Sequence, residues 1–167
     1  MAIRPQLVSR AEQPYASISN SLPMPRLSDQ LQPQIGEIFG WLAARGIQPA
    51  GLPFWKYNRI NVAGIVEVEV GVPTADEISG DDRVQPHLLP GGNYVLARHV
   101  GHPQKLRDAT SELLDWAAAE GIAWDMWRED EGELWAARLE EYLHDPISQP
   151  DMEKWQANLI FKLADQH

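Results

Sequence analysis

The chain of 167 residues has no cysteine, which excludes a disulfide framework and thiol chemistry and suits a reducing compartment. It has no cluster of Lys or Arg: 14 basic residues stand against 24 acidic ones, for a net charge of −10. Phosphate binding depends on a basic surface, so no direct nucleic-acid partner is expected. No stretch approaches the roughly 18 uninterrupted apolar residues of a membrane span, and the start, MAIRPQLVSRAEQ, lacks an apolar signal core. The expected location is therefore the cytoplasm, with no membrane partner. Also missing are a serine elbow, a phosphate loop and a cysteine–histidine pair. His99 and His102 have helical spacing, but Pro103 starts the helix after them, so neither a metal site nor a cofactor is expected.

What is present is enough apolar material, 44% of residues, to build the core of one domain spanning 1–167. Seven of the fourteen aromatic residues are tryptophan, which offers flat apolar surface and one donor. Leu7 to Ser19 reads as a first strand bent at Pro14. Leu31, Ile35, Ile38, Phe39 and Leu42 form the stripe of a helix that starts between Ser28 and Gln32, with Ser28 as cap, and ends at Gly46. Phe54 to Ile60 and Val62 to Val72 read as a hairpin, the second arm alternating Val66, Val68, Val70 and Val72 with Glu67 and Glu69. Thr74 to Arg83 is an acidic, aperiodic linker. A strand from Asn93 to Val100, a helix from Pro103 to Gly121, a short strand from Trp124 to Glu129, the stretch Leu134 to Pro146 and a last strand from Lys154 to Leu163 complete the order.

The halves resemble each other. EIFGWLAARGI (Glu37 to Ile47) lies over ELLDWAAAEGI (Glu112 to Ile122), with Glu, Trp, both alanines, Gly and Ile coinciding. Val66, Glu67, Val70 and Pro73 also lie over Leu139, Glu140, Leu143 and Pro146. The fold expected is α+β: duplicated βαββ units, about 5–74 and 84–163, forming a mostly antiparallel sheet. Two helices pack on one face, and a groove marks the pseudo-twofold seam. Within LWAARLEEYLHDP, alternation puts Trp135, Ala137, Leu139 and Leu143 on one face and Arg138, Glu140 and Tyr142 on the other, with Glu141 intruding on the apolar side. The apolar set is expected under the helices with the valines, leaving Glu67, Glu69, Glu140 and Tyr142 on the opposite face or at the seam.

VEVEVGVP (Val66 to Pro73), LPGGNYVLARHVGHP (Leu89 to Pro103), LLDWAAAEGI (Leu113 to Ile122) and the run from Trp135 through RLEEYLHDP to QPDMEKW resemble the GyrI-like, AraC-type effector-binding family over nearly the whole chain. In the last run the pattern is Glu140, Tyr142, Asp145, Pro146, Pro150, Asp151 and Trp155. The resemblance implies a groove glutamate, by motif position Glu140 rather than Glu141, facing bulky cationic or aromatic ligands among aromatic walls. The first strand begins within about ten residues of Met1, so the helix-turn-helix that precedes many members is not expected, and a separate protein partner would carry any signal.

The ligand-binding candidates are Glu140, Tyr142, Trp55, Tyr57, Trp127, Trp124, Trp155 and Glu67. A carboxylate in a cleft favours a cation, and aromatic faces add roughly 0.5–2 kcal/mol of cation–π attraction. The blander readings are a strand glutamate paired with Arg138, core aromatics, and Glu67 on a solvated face. The leading expectation is a binder of hydrophobic, cationic or planar aromatic molecules. The resemblance also implies a rival, hydrolysis of cyclopropane-containing alkylating compounds with Glu140 as general acid or base. A third is a protein-interaction module that leaves the groove idle.

Overall fold

The computed structural model describes residues 3–144 and 149–165; Asp145 and Pro146 of the motif lie outside them. The strands are β1 (Gln6–Arg10), β2 (Gln13–Pro23), β3 (Phe54–Asn61), β4 (Ile65–Pro73), β5 (Gln85–Leu89), β6 (Gly92–Val100), β7 (Met126–Glu129), β8 (Gly132–Trp135), β9 (Arg138–Tyr142) and β10 (Gln156–Lys162). The helices are α1 (Leu27–Ala44) and α2 (Leu106–Ala119). All strands join one curled antiparallel sheet in the order β1-β6-β10-β9-β3-β4-β2-β5, with the β7–β8 hairpin branching onto β3. The fold is α+β, two helices on a duplicated strand-helix-hairpin plan.

Helix α1 buries Leu27, Leu31, Gln34, Ile38 and Leu42 along one stripe, and Gln34 exchanges hydrogen bonds with Asn20 of β2. It packs on β2 and β4, while α2 packs on β6 through Leu106, Ala109, Leu113 and Ala117. Both helices and the four valines of β4 belong to one apolar cluster with Val95, Ala97 and Leu159. The α1 start differs from expectation: the helix begins at Leu27 behind a 3-10 turn, its cap position is Arg26, and Pro33 lies inside. Pro33 is exposed, and lacking an N–H it leaves one carbonyl of the preceding turn without its helical donor.

Three further expectations change. The first strand is broken at Ala11 and Glu12, not at Pro14, so that β1 pairs with β6 while β2 pairs with β4 and β5. The segment after Thr74 is held to α1: Asp81 accepts from Trp41 Nε1 at 2.8 Å and Arg45 at 3.2 Å, and Arg83 grips Glu37. The stretch from Leu134 is two strands separated at Ala136 and Ala137, and β9 forms its long pairing with β10. The hairpin of the second half is therefore β9–β10, which removes the alignment of Glu67 with Glu140.

At the seam Phe54, Trp55 and Lys56 pair with Glu141, Glu140 and Leu139, which makes Trp55 and Glu140 the central pair of the β3–β9 ladder.

Candidate ligand-binding groove

Residues paired across strands share a face. Following the ladder across the sheet gives one row: Ile18, Val70, Trp55, Glu140, Leu159 and Ala97. Five are apolar and buried, and Glu140 is the single charged residue among them. The row lies on the helix side. Of the two places expected for Glu140, the face away from the valines is thus overturned and the seam is where it lies; the expectation placing Leu139 under the helices is overturned too. The cause is a second apolar cluster on the other face, of Tyr15, Phe54, Leu89, Tyr94, Ala137, Leu139 and Ile160, which gives Leu139 its own core. Because α1 packs on β2 and β4 and α2 on β6, β3 and β9 are the strands between the two helices.

Tyr142 Oη donates to Glu140 Oε2, and the Tyr57 hydroxyl of β3 lies near enough to favour the charged form of the same carboxylate. The ring of Trp55 meets that of Tyr142 edge-on, with centroids 4.9 Å apart at 61°. These three aromatics are buried while Glu140 is half-buried. The indole N–H of Trp55 has no acceptor among the described residues, a deficit of about 1–3 kcal/mol for a buried donor. Burial raises the Glu140 pKa above the ordinary carboxylate value, against the lowering influence of the Tyr142 and Tyr57 hydroxyls and the charges of Arg138 and His99. Burial likewise pushes both tyrosine hydroxyls well up, with the Glu140 charge adding to it.

Arg138 shares this face with Glu140. Its guanidinium carbon lies 4.8 Å from the Trp135 ring, 4.9 Å from Phe161 and 5.8 Å from Tyr57. Burial lowers its pKa, and the nearby Glu140 charge opposes the shift. The bend at Ala136 and Ala137 is what brings Trp135 round to this side.

The remaining candidates are placed elsewhere. Trp124 meets Trp135 at a tilt, with centroids 6.1 Å apart, and Phe161 edge-on at 5.7 Å. Trp155 is buried and donates to the Gln149 carbonyl at 2.6 Å, tying down the segment before β10. Trp127 stands 50% exposed on the β7–β8 hairpin. Glu67 is exposed on the face away from the valines, between Ser21 and Arg59. Its neighbour Glu69 is buried on that face and bonded by Tyr15, Asn58 and Lys56. Glu141, the acid that intruded on an apolar face, is ion-paired with Arg10 of β1 at 2.9 Å and bonded by Asn158; it lines a cavity of about 480 Å³ on the far side of the sheet. Sequence reasoning did not foresee Arg138, Trp135 and Phe161 as a unit, because the contact depends on the bend between β8 and β9. Among the described residues, no group of His, Cys, Asp and Glu could hold a metal ion.

The model of the GyrI-like small molecule binding domain matches residues 4–153. No curated protein matches the chain by sequence. Among solved structures, the EcmrR C-terminal domain is similar over 99% of this chain and 100% of its own, with a TM-score of 0.77 at 18% identity. In the EcmrR–DNA complex the similarity covers 99% of this chain and 59% of the longer one, TM-score 0.78 at 18% identity. SAV2435 bound to tetraphenylphosphonium gives a TM-score of 0.61 at 11% identity, covering 96% of this chain and 94% of that one. A hydrolase encoded by lin2189 from Listeria innocua gives 0.59 at 12%, covering 96% and 91%. At these identities the structures share the fold, and the family match, which spans most of the chain, settles its membership: the chain belongs to the GyrI-like small-molecule-binding domain family.

Proposed function

We propose that the chain is one cytosolic binding module for hydrophobic, planar aromatic molecules carrying a positively charged group, with Glu140 as charge partner and Trp55, Tyr57 and Tyr142 as the walls. One observation carries this: a carboxylate interrupts an otherwise apolar row on the helix side of the sheet, paired with Trp55 at the seam. A charge is costly to hold there unless something answers it. Support comes from the family match and from a fold neighbour that holds a lipophilic cation. Titration with rhodamine 6G, read by tryptophan quenching, should give saturable binding that weakens about tenfold or more in Glu140→Gln. Equal affinity in the variant would remove the charge-partner role.

The raised pKa of Glu140 favours a second reading, hydrolysis of a cyclopropane-containing alkylator. Water oxygen would bond to a ring carbon as the strained carbon–carbon bond breaks, its electron pair passing into a conjugated carbonyl that takes up a proton. Glu140 would relay the proton. Appearance of the ring-opened hydrate at rates above the Glu140→Gln control tests it; equal rates would count against it.

A further inference from the structure

Strand β9 brings two opposite charges to the helix side rather than one. Arg138 and Glu140 occupy alternate positions of β9, about 6.5 Å apart along the strand, and project to the same side. They do not form an ion pair with each other. Glu140 instead accepts from the Tyr142 hydroxyl, with Tyr57 nearby, and Arg138 lies against the faces of Trp135, Phe161 and Tyr57. Among the described residues the Arg138 guanidinium makes no hydrogen bond or close ion pair; the charges of Glu140 and Glu133 act on it from farther off. Across the ladder from Glu140, the Trp55 indole N–H is fully buried and without an acceptor among the described residues. A molecule offering only positive charge would satisfy Glu140 but meet repulsion from Arg138 and bring it no acceptor.

We propose, resting on the binding function above, that the ligands of this chain are planar aromatic zwitterions: a cationic group answers Glu140, and an acidic or strongly accepting group answers Arg138. Arg138 is then the specificity-determining residue. Its planar fork suits a carboxylate, and the aromatic box fixes its orientation before the ligand arrives.

The test compares two dyes that share a xanthene core, rhodamine 6G, an ester and a cation, and its free acid, a zwitterion. The native protein should bind the free acid about tenfold more tightly. In Arg138→Met that ratio should fall to about one or invert, while Glu140→Gln should weaken both dyes. Arg138→Gln repeats the measurement if the methionine variant does not fold, as judged by circular dichroism. An ester bound as tightly as the acid by native protein, or an unchanged ratio in a folded Arg138 variant, would overturn the zwitterion assignment and leave the binding function standing. Binding of neither dye by native protein would overturn both.

Discussion

Adjacent carboxylates on β9 serve opposite faces, and their environments make them unlike in energy. Glu141 has a guanidinium and an amide bonded to it, so truncating Arg10 to Met should cost about 1–3 kcal/mol by leaving a buried acceptor short of donors. Glu140 has no such cation within bonding distance, and its pKa is raised by burial. A raised carboxyl pKa means that the folded state binds its proton more tightly than the unfolded chain does. The associated stability is fully present below about pH 4.5, the ordinary value, and is lost as pH rises through the folded pKa. Glutamine carries no charge at any of these pH values. Glu140→Gln should thus gain melting temperature over the native protein at neutral pH, with the gain shrinking as pH falls to 4.5. Thermal melts across that range check this, and a pH-independent difference would show that desolvation of the carboxylate is not what the substitution relieves.

The elements repeat down to their ends. Gly46 and Gly121 close α1 and α2 in the left-handed region, at φ 68° and 70°. In each case the amide two positions beyond the last turn reaches back, Ile47 to the Leu42 carbonyl at 3.0 Å and Ile122 to that of Ala117 at 2.9 Å. A Cβ at either glycine would meet nothing within 4 Å, so the cost of alanine there is conformational, about 1 kcal/mol. Gly40 is exposed inside α1 with equally open space, and alanine there should stabilise by about 0.5–1 kcal/mol. Chemical denaturation of the three variants should separate them by sign. These helix ends were legible because the signal is local: Gly after an apolar stripe, twice. The break between β8 and β9 was not, since Ala136 and Ala137 carry no turn chemistry. Nor was the partner of Glu141, which lies 131 residues away. Alternation correctly separated Glu140 from Glu141, but both faces of the sheet are apolar, so it could not tell which faced the helices.

At the scale of the molecule, the seam is made of strand pairing rather than of two docked surfaces. β3 and β9 are neighbours in one continuous sheet, and the helix-side cluster draws Ile18, Val70, Val95 and Leu159 from both halves. An internal repeat of this kind invites the thought that each half folds alone, yet either half would leave an open edge and half a core at the groove. Stability should therefore be shared, and an insult to one half should be felt in the other. Leu159 is fully buried in the second half, between Glu140 and Ala97 in the row, and Leu159→Ala should cost about 2–5 kcal/mol. If the sheet couples the halves into one cooperative unit, native-state hydrogen exchange will show the loss equally at core amides of α2, such as Leu113, and of α1, such as Ile38. Undiminished protection of Ile38 alongside weakened Leu113 would mean that the halves open separately, and a groove built on their seam would then be a movable joint rather than a preformed site.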